Sequence, residues 1–354
     1  MTLLLTNDAM ESLDIHPTEV VPVLEAAFRD VGERRAPAPA RVRMYVPTPG
    51  DGPTFWVNDI VGAAPSSGTA AVRLDAAFSR YVETPQGKNR VRQGDFSGLV
   101  LLWDMGSAEL LAILHDHYLS TRRVAATTAI GVHHLAREDA EVLALYGTGH
   151  QAEQHLLAMC DARPFREVRV YSRSEENRRD FVRRLGDTVD ATVVAVDSSD
   201  ACITGADVVV TATNARTPVF DGALLTAGMH LTTIVGSDKT TKGTEVDETA
   251  VLRADRIVTN LKEQIRVDEQ PKTFPLLERG ALAWDDIAEL HDVVAGTAPG
   301  RQSEDEVTFH DNNTGMGLQF AAMGRLVYER ALAAGIGVEV DGDLFMTRGG
   351  SYAP

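Results

Sequence analysis

The sequence predicts an α/β protein in which a doubly wound parallel sheet follows a smaller α+β portion. Two patterns carry that expectation. From about residue 141, continuous β-branched runs alternate with helix-spaced segments, which argues a parallel sheet covered on both faces. The first 120 or so residues hold instead one amphipathic helix and shorter runs divided by turn residues, which predicts an antiparallel or mixed sheet.

Taken in order, HPTEVVPVLEAAFRDVGE is the amphipathic helix, and RVRMYVPTP, TFWVNDIVG, AAVRLDAAFSRYV and FSGLVLLWD read as strands. YVETPQGKNRVRQGD, at 81–95, is polar and basic and predicts a long exposed hairpin loop. LSTRRVAATTAIGVHHLA makes a helix leading into the second portion. There EVLALYG, REVRVYS, ATVVAV, DVVVTATN, MHLTTIVGS and DRIVTN are strands. QAEQHLLAMCDA, EENRRDFVRRLG (closed by Gly186), SSDACITGA and DETAVLRA are the helices among them. GMGLQFAAMGRLVYERALAAGIG predicts a helix that packs back on the first portion. The expected division is therefore 1–124 together with 316–354, and 125–315.

Composition narrows the function classes. A formal net charge of −17 argues against a nucleic-acid or anionic-membrane surface, though not against a local basic pocket. No apolar run reaches the roughly 18 residues of a membrane span, and the short apolar start lacks a basic region before it. Cys160 and Cys202 are too few and too far apart for a disulfide framework or a metal knuckle, and read as core residues. No His, Cys or carboxylate cluster has metal-ligand spacing, so no metal is expected. A cytoplasmic enzyme fits this composition.

Gly147-Thr148-Gly149-His150-Gln151-Ala152 follows a strand and opens a helix inside a strand–helix–strand unit. That is the context in which G-x-G-x-x-A binds a dinucleotide. The first glycine permits the turn, and the second admits a pyrophosphate onto the free N–H groups of the helix. The alanine lets helix and strand pack closely. A Rossmann-type domain is the implied fold. At the end of the next strand, where NAD-binding domains place an acid, stands Ser172, followed by Arg173, Ser174, Asn177 and Arg178. Arg173 and Ser174 suit a ribose 2′-phosphate, which favours NADP(H), with NAD(H) as the alternative. Ala212, Thr213 and Val235, at later strand ends, are further cofactor candidates.

The chain resembles the ornithine cyclodeaminase/μ-crystallin family over nearly its whole length. The resemblance lies in GTGHQAEQHL, in LSTRRVAATTAI (which resembles the family's L-T-x-x-R-T-x-A helix) and in VGSDKTTKGTEVD (which resembles its G-x-D-x-x-x-K-x-E-(L/V)-D stretch). It implies an NAD(P)-dependent oxidoreductase acting at the α-carbon of an amino or imino acid. Cyclodeamination of ornithine is the alternative, and a non-catalytic dinucleotide-binding protein a third. The family's basic trio for the substrate carboxylate falls on Arg43, with Arg41 as the other register, on Arg73 and on Arg123. Arg73 stands where the family has lysine, so proton transfer by a lysine is lost there while the charge stays. For these arginines, structural ion pairs are the competing reading.

Asp238 is implied to handle the substrate nitrogen and the proton at the reacting carbon, against the competing reading of a loop carboxylate that caps a turn. Lys242 is implied near the cofactor. Asn313 and Thr314, with His310 as a weaker candidate, belong to a segment that reaches the nicotinamide. Asp59 is the one local carboxylate for a distal substrate amine. His115 and His117 flank Asp116, and His150 reads as a wall of the dinucleotide loop. The resemblance also implies a homodimer built from the amino-terminal sheet and the carboxyl-terminal helix.

Overall fold

In the computed structural model, which describes residues 1–50, 52–84, 87–234, 238–240 and 243–347, the chain forms two sheets. The amino-terminal strands are β1 (Thr2–Leu5), β2 (Val42–Pro47), β3 (Thr54–Ala64), β4 (Thr69–Thr84), β5 (Gly87–Asp104) and β6 (Leu110–His115). The second sheet uses β7 (Val142–Tyr146), β8 (Glu167–Tyr171), β9 (Thr192–Ala195), β10 (Val208–Thr211), β11 (His230–Thr233), β12 (Arg256–Thr259), β13 (Ile287–Glu289) and β14 (Thr308–Asp311). A last strand, β15 (Val338–Val340), returns to the first sheet.

The second sheet has the order β13-β12-β14-β11-β10-β7-β8-β9, and every pairing in it is parallel. Every residue of β7, β10, β11 and β14 is buried, as continuous apolar strands covered on both faces require. The order reverses direction next to β7, and ligands of open α/β sheets bind beyond the strand ends at such a point.

The first sheet runs β15-β1-β6-β5-β4-β3-β2. It is mixed, because β1 pairs parallel to β6 while β2 to β6 form an antiparallel meander. On its inner face lie the helices Pro17–Gly32 and Gly317–Ala334. Their apolar sides join Ile60, Val100, Leu102 and Leu114 in one core. The helix Asp116–Leu135 serves both halves: Tyr118, Leu119 and Ile130 pack in that core, and Ala125, Ala129 and Val132 in the core of the parallel sheet.

Segment 81–95 differs from the sequence expectation. It is no loop. β4 and β5 extend through it as a two-stranded ribbon, with Ser79 opposite Arg92 and Tyr81 opposite Arg90, after a register shift at Ala77/Phe78. Backbone bonds between the two strands satisfy the ladder, and a projecting ribbon needs no apolar period to do so.

The outer face of the β2–β4 sheet is apolar and exposed. Val42, Met44, Val46, Val61 and Phe78 stand there, with Phe55 and Phe78 edge to face at 5.6 Å. Both cysteines are free, Cys202 buried and Cys160 partly so. Among the described residues, no helix is long and apolar enough to cross a membrane.

Candidate active site

The dinucleotide loop is shaped by backbone. Gly147 has φ +121°, and a Cβ there would lie 2.3 Å from the Ala212 carbonyl oxygen, so only glycine fits. Its N–H donates to Tyr171 O at 2.8 Å. Gly149 caps the helix His150–Ala162 without a side-chain cap, and a Cβ placed on it meets nothing within 4 Å. The helix amides therefore face open space, which fits a pyrophosphate. Ala152 is wholly buried against β7 and β10, as close helix–strand packing requires. Gln151 Oε1 is enclosed without a partner. His150 is half-exposed beside Glu153, with its ring stacked on His117 at 5.3 Å.

After β8, Thr148 Oγ1 donates to Ser172 Oγ and Ser172 Oγ to Ser174 O. Ser174 Oγ caps the next helix by accepting from Asn177 N. Arg178 is folded inward onto Ser172 O and the Tyr171 ring, whereas Arg173 is exposed and makes no ion pair among the described residues. Ala212 is buried, and Thr213 is held by Glu245, which accepts from Thr213 N, Thr213 Oγ1 and Thr211 Oγ1. Burial pushes the Glu245 carboxyl up despite those donors. Val235 and Lys242 lie outside the described residues.

Asp238 follows β11 at the carboxyl edge of the parallel sheet. Its Oδ1 accepts from Thr240 N at 2.8 Å and from Thr240 Oγ1, so it does cap a turn. Its Oδ2 meets Arg43 Nη1 at 3.0 Å, Arg90 Nη2 at 3.3 Å and Tyr45 Oη at 3.3 Å. Burial alone would raise this carboxyl, but Arg43, Thr240 and Arg90 outweigh it and hold the group below the usual carboxylate range. Asp238 is therefore ionised at neutral pH. Burial, then the Asp238 charge, raises the Tyr45 phenol.

Across from Asp238, the inner face of β2–β4 presents Arg43, Tyr45, Trp56, Asn58, Arg73 and Asp75, matched strand to strand. Arg43 also donates to Asp268 at 2.6 Å, and Arg41 to the same carboxylate at 2.8 Å. Arg73 is fully engaged: Nε and Nη2 donate to Asp116, and Nη1 to Asp75 at 2.5 Å. Asp75 also accepts from Asn58. Burial would lower the Arg73 guanidinium, but Asp116 and Asp75 outweigh it.

Arg123 makes no ion pair among the described residues. Nη1 donates to Gln319 Oε1 at 3.3 Å, Nε is enclosed without a partner, and the guanidinium lies 5.3 Å over the Phe320 ring. Enclosure, then the Arg73 charge, brings its pKa down to about 9. The trio is thus brought to one face but divided. Arg43 and Arg73 are paired with carboxylates, and Arg123 is the one free of them.

Asp59 lies elsewhere. It points from the opposite face of β3 and accepts from Val42 N at 3.1 Å. Asn313 is buried and spent within the fold: Nδ2 donates to Leu261 O and Gln270 Oε1, and Oδ1 accepts from Leu261 N. Thr314 Oγ1 donates to Gly315 O. His310 is buried against Gly131 and bonded to Asn260, with burial bringing it down to about 3.

Sequence reasoning missed several residues that shape this site. Arg90 comes from the ribbon, Asp268 from the helix Lys262–Asp268, and Lys272 is paired with Asp311. Only Arg90 left a signal, in the basic character of 81–95.

The family model described as "Ornithine cyclodeaminase/mu-crystallin family" matches residues 2–335. A Delta(1)-pyrroline-2-carboxylate reductase from Bacillus cereus is 29% identical over 273 residues, 77% of this chain and 83% of that protein. The ketimine reductase mu-crystallin of Mus musculus is 29% identical over 72% of this chain and 76% of its own. An archaeal alanine dehydrogenase, solved as a dimer with bound NAD, superposes with a TM-score of 0.80 at 25% identity, covering 96% of this chain and 99% of that one. The chain belongs to the ornithine cyclodeaminase/mu-crystallin family.

Proposed function

We propose that this member of the ornithine cyclodeaminase/mu-crystallin family is an NAD(P)-dependent oxidoreductase acting at the α-carbon of an amino or imino acid. The observation that carries the reading is Asp238, an ionised carboxylate beyond β11 that faces a cation-lined sheet and stands at the same carboxyl edge of the parallel sheet as the open Gly149 cradle. When bound, the dinucleotide supplies or accepts hydride. The chain's own residues do the rest. Arg123, with unspent donors, takes the substrate carboxylate, and Arg43 flanks it. Asp238 balances the iminium charge in reduction and accepts a proton from the ammonium nitrogen in the reverse direction. The cyclodeaminase alternative draws no support from Asp59, which points away from this face.

Replacing Asp238 tests the reading. Asp238→Asn keeps the shape and removes the charge, so turnover should fall by roughly 10²–10⁴ while cofactor affinity stays near wild type. Near-wild-type turnover in a folded variant refutes it.

NADP(H) is the proposed preference, because Arg173 is exposed and unpaired at the end of β8. Arg173→Ala should weaken NADPH by about 1.5–3 kcal/mol and leave NADH unchanged in a fluorescence titration. We also assign the exposed apolar face of β2–β4 to a second copy of the chain, making 1–124 with 316–354 the dimerising, substrate-facing half and 125–315 the dinucleotide domain. A monomer in light scattering at micromolar concentration contradicts that. Cytoplasmic residence is consistent with two unpaired cysteines.

A further inference from the structure

Charge around Asp238 does not balance. Four guanidiniums gather there: Arg41, Arg43, Arg90 and Arg216. Among the described residues, only Asp238 and Asp268 answer them as ion-pair partners. Arg216 follows the β10 loop and packs on Gly243, where a Cβ would lie 2.4 Å from Arg216 Cβ. It is partly buried in the field of Asp238, Glu245 and Arg90, with no hydrogen bond or ion pair among the described residues. Glu245 does not neutralise it, being turned to Thr211 and Thr213.

Arg90 is equally telling. Its N–H donates to Thr240 O at 3.1 Å and its Nε to Thr240 Oγ1 at 3.1 Å. The guanidinium is clamped 5.2 Å over the Tyr45 ring and 5.0 Å over Trp56, leaving Nη1 without a hydrogen bond among the described residues. At the neighbouring corner the numbers match, two guanidiniums to two carboxylates, although Asp75 and Asp116 both pair with Arg73.

We propose that the site takes an imino or amino acid with a second carboxylate on its side chain, read by Arg90 and Arg216 while Arg123 holds the α-carboxylate. This rests on the α-carbon chemistry proposed above. A monocarboxylate iminium is neutral overall and leaves partly buried Arg216 without a counter-charge and Arg90 Nη1 without an acceptor among the described residues. A dicarboxylate iminium carries one negative charge and offers an acceptor to both. Hydride goes to the imine carbon and the C=N π pair to nitrogen, so the second carboxylate takes no part in bond making.

The test is NADPH and NADH oxidation with imines formed in place from ammonia or methylamine. Oxaloacetate and 2-oxoglutarate are set against pyruvate and 2-oxobutyrate. A diacid should exceed its monoacid counterpart at least tenfold in kcat/KM. Arg216→Gln and Arg90→Gln should each narrow that ratio by about tenfold or more, the scale of one charge-assisted hydrogen bond. A melting-temperature comparison of succinate with butyrate, with NADP⁺ present, reads the same preference without turnover: succinate should stabilise wild type more, and Arg216→Gln should remove the difference. Monoacids turned over as well as diacids, with a ratio unmoved in the variants, overturn this proposal and leave the α-carbon chemistry standing. No turnover of any imine, in a protein that binds dinucleotide, overturns the α-carbon chemistry itself.

Discussion

Arg73 and Arg123 approach the same ring, Phe320, at 5.8 and 5.3 Å, yet their hydrogen-bond partners differ in charge. Arg73 has all its directions taken by Asp116 and Asp75. Arg123 has an enclosed Nε with no partner, and an environment that lowers its pKa rather than raising it. One guanidinium is spent on two carboxylates, and the other is enclosed with one neutral hydrogen-bond partner and an aromatic ring. Two arginines implied to share one role by the family's motifs thus differ: Arg73 is spent on Asp75 and Asp116, and the proposed grip on the substrate carboxylate falls to Arg123.

The largest effect that would break this contrast is on stability. Arg73→Met removes the cation that Asp75 and Asp116 share, which should cost about 3–5 kcal/mol in denaturant unfolding. A loss below about 1 kcal/mol would show that Arg73 is not the structural member. Next comes Arg123→Met. It should lower kcat/KM by about 10- to 100-fold, the range for a hydrogen bond to a charged group, while the melting temperature stays equal or rises. A lower melting temperature with intact kcat/KM would reverse the assignment.

The smallest effect is on the acid limb. Burial would raise the Asp116 carboxyl, but Arg73 and Ser120 hold it below its ordinary value. A carboxyl depressed in the folded state adds stability above its unfolded pKa, and that stability is lost as pH falls through the folded one. Wild type should therefore keep this contribution down to about pH 4, the ordinary aspartate value, and lose it only below. In Arg73→Met, where burial is no longer outweighed, that acid-limb loss should shrink or disappear. Chemical unfolding at stepped pH measures both.

What the sequence revealed follows the range of the forces involved. The parallel sheet and the Gly147–Ala152 loop were legible because burial on both faces and a tight turn leave local marks. The mixed character of the first sheet was left open, since β1 is only TLLL and β6 (LLAILH) is a short apolar run of ambiguous period. The ribbon escaped because Val91 to Ser97 are exposed one after another, which removes the alternation that signals a strand. The pairing of Arg43 with Asp268 and of Arg73 with Asp116 was invisible. Residues 225 and 43 apart meet only through the fold, and an arginine in an apolar strand looks the same whether spent or free.

One contact carries a mechanical consequence. Where the helix Gly317–Ala334 crosses β3, a Cβ on Gly317 would lie 2.1 Å from Gly62 N, and one on Gly62 would lie 2.6 Å from Leu318 N. Backbone rests on backbone there, with no side chain to absorb a displacement. Two residues on, Gln319 links Arg123 to Thr127. The glycine crossing thus fixes where the start of this helix sits on β3, and with it the Gln319 side chain that holds Arg123.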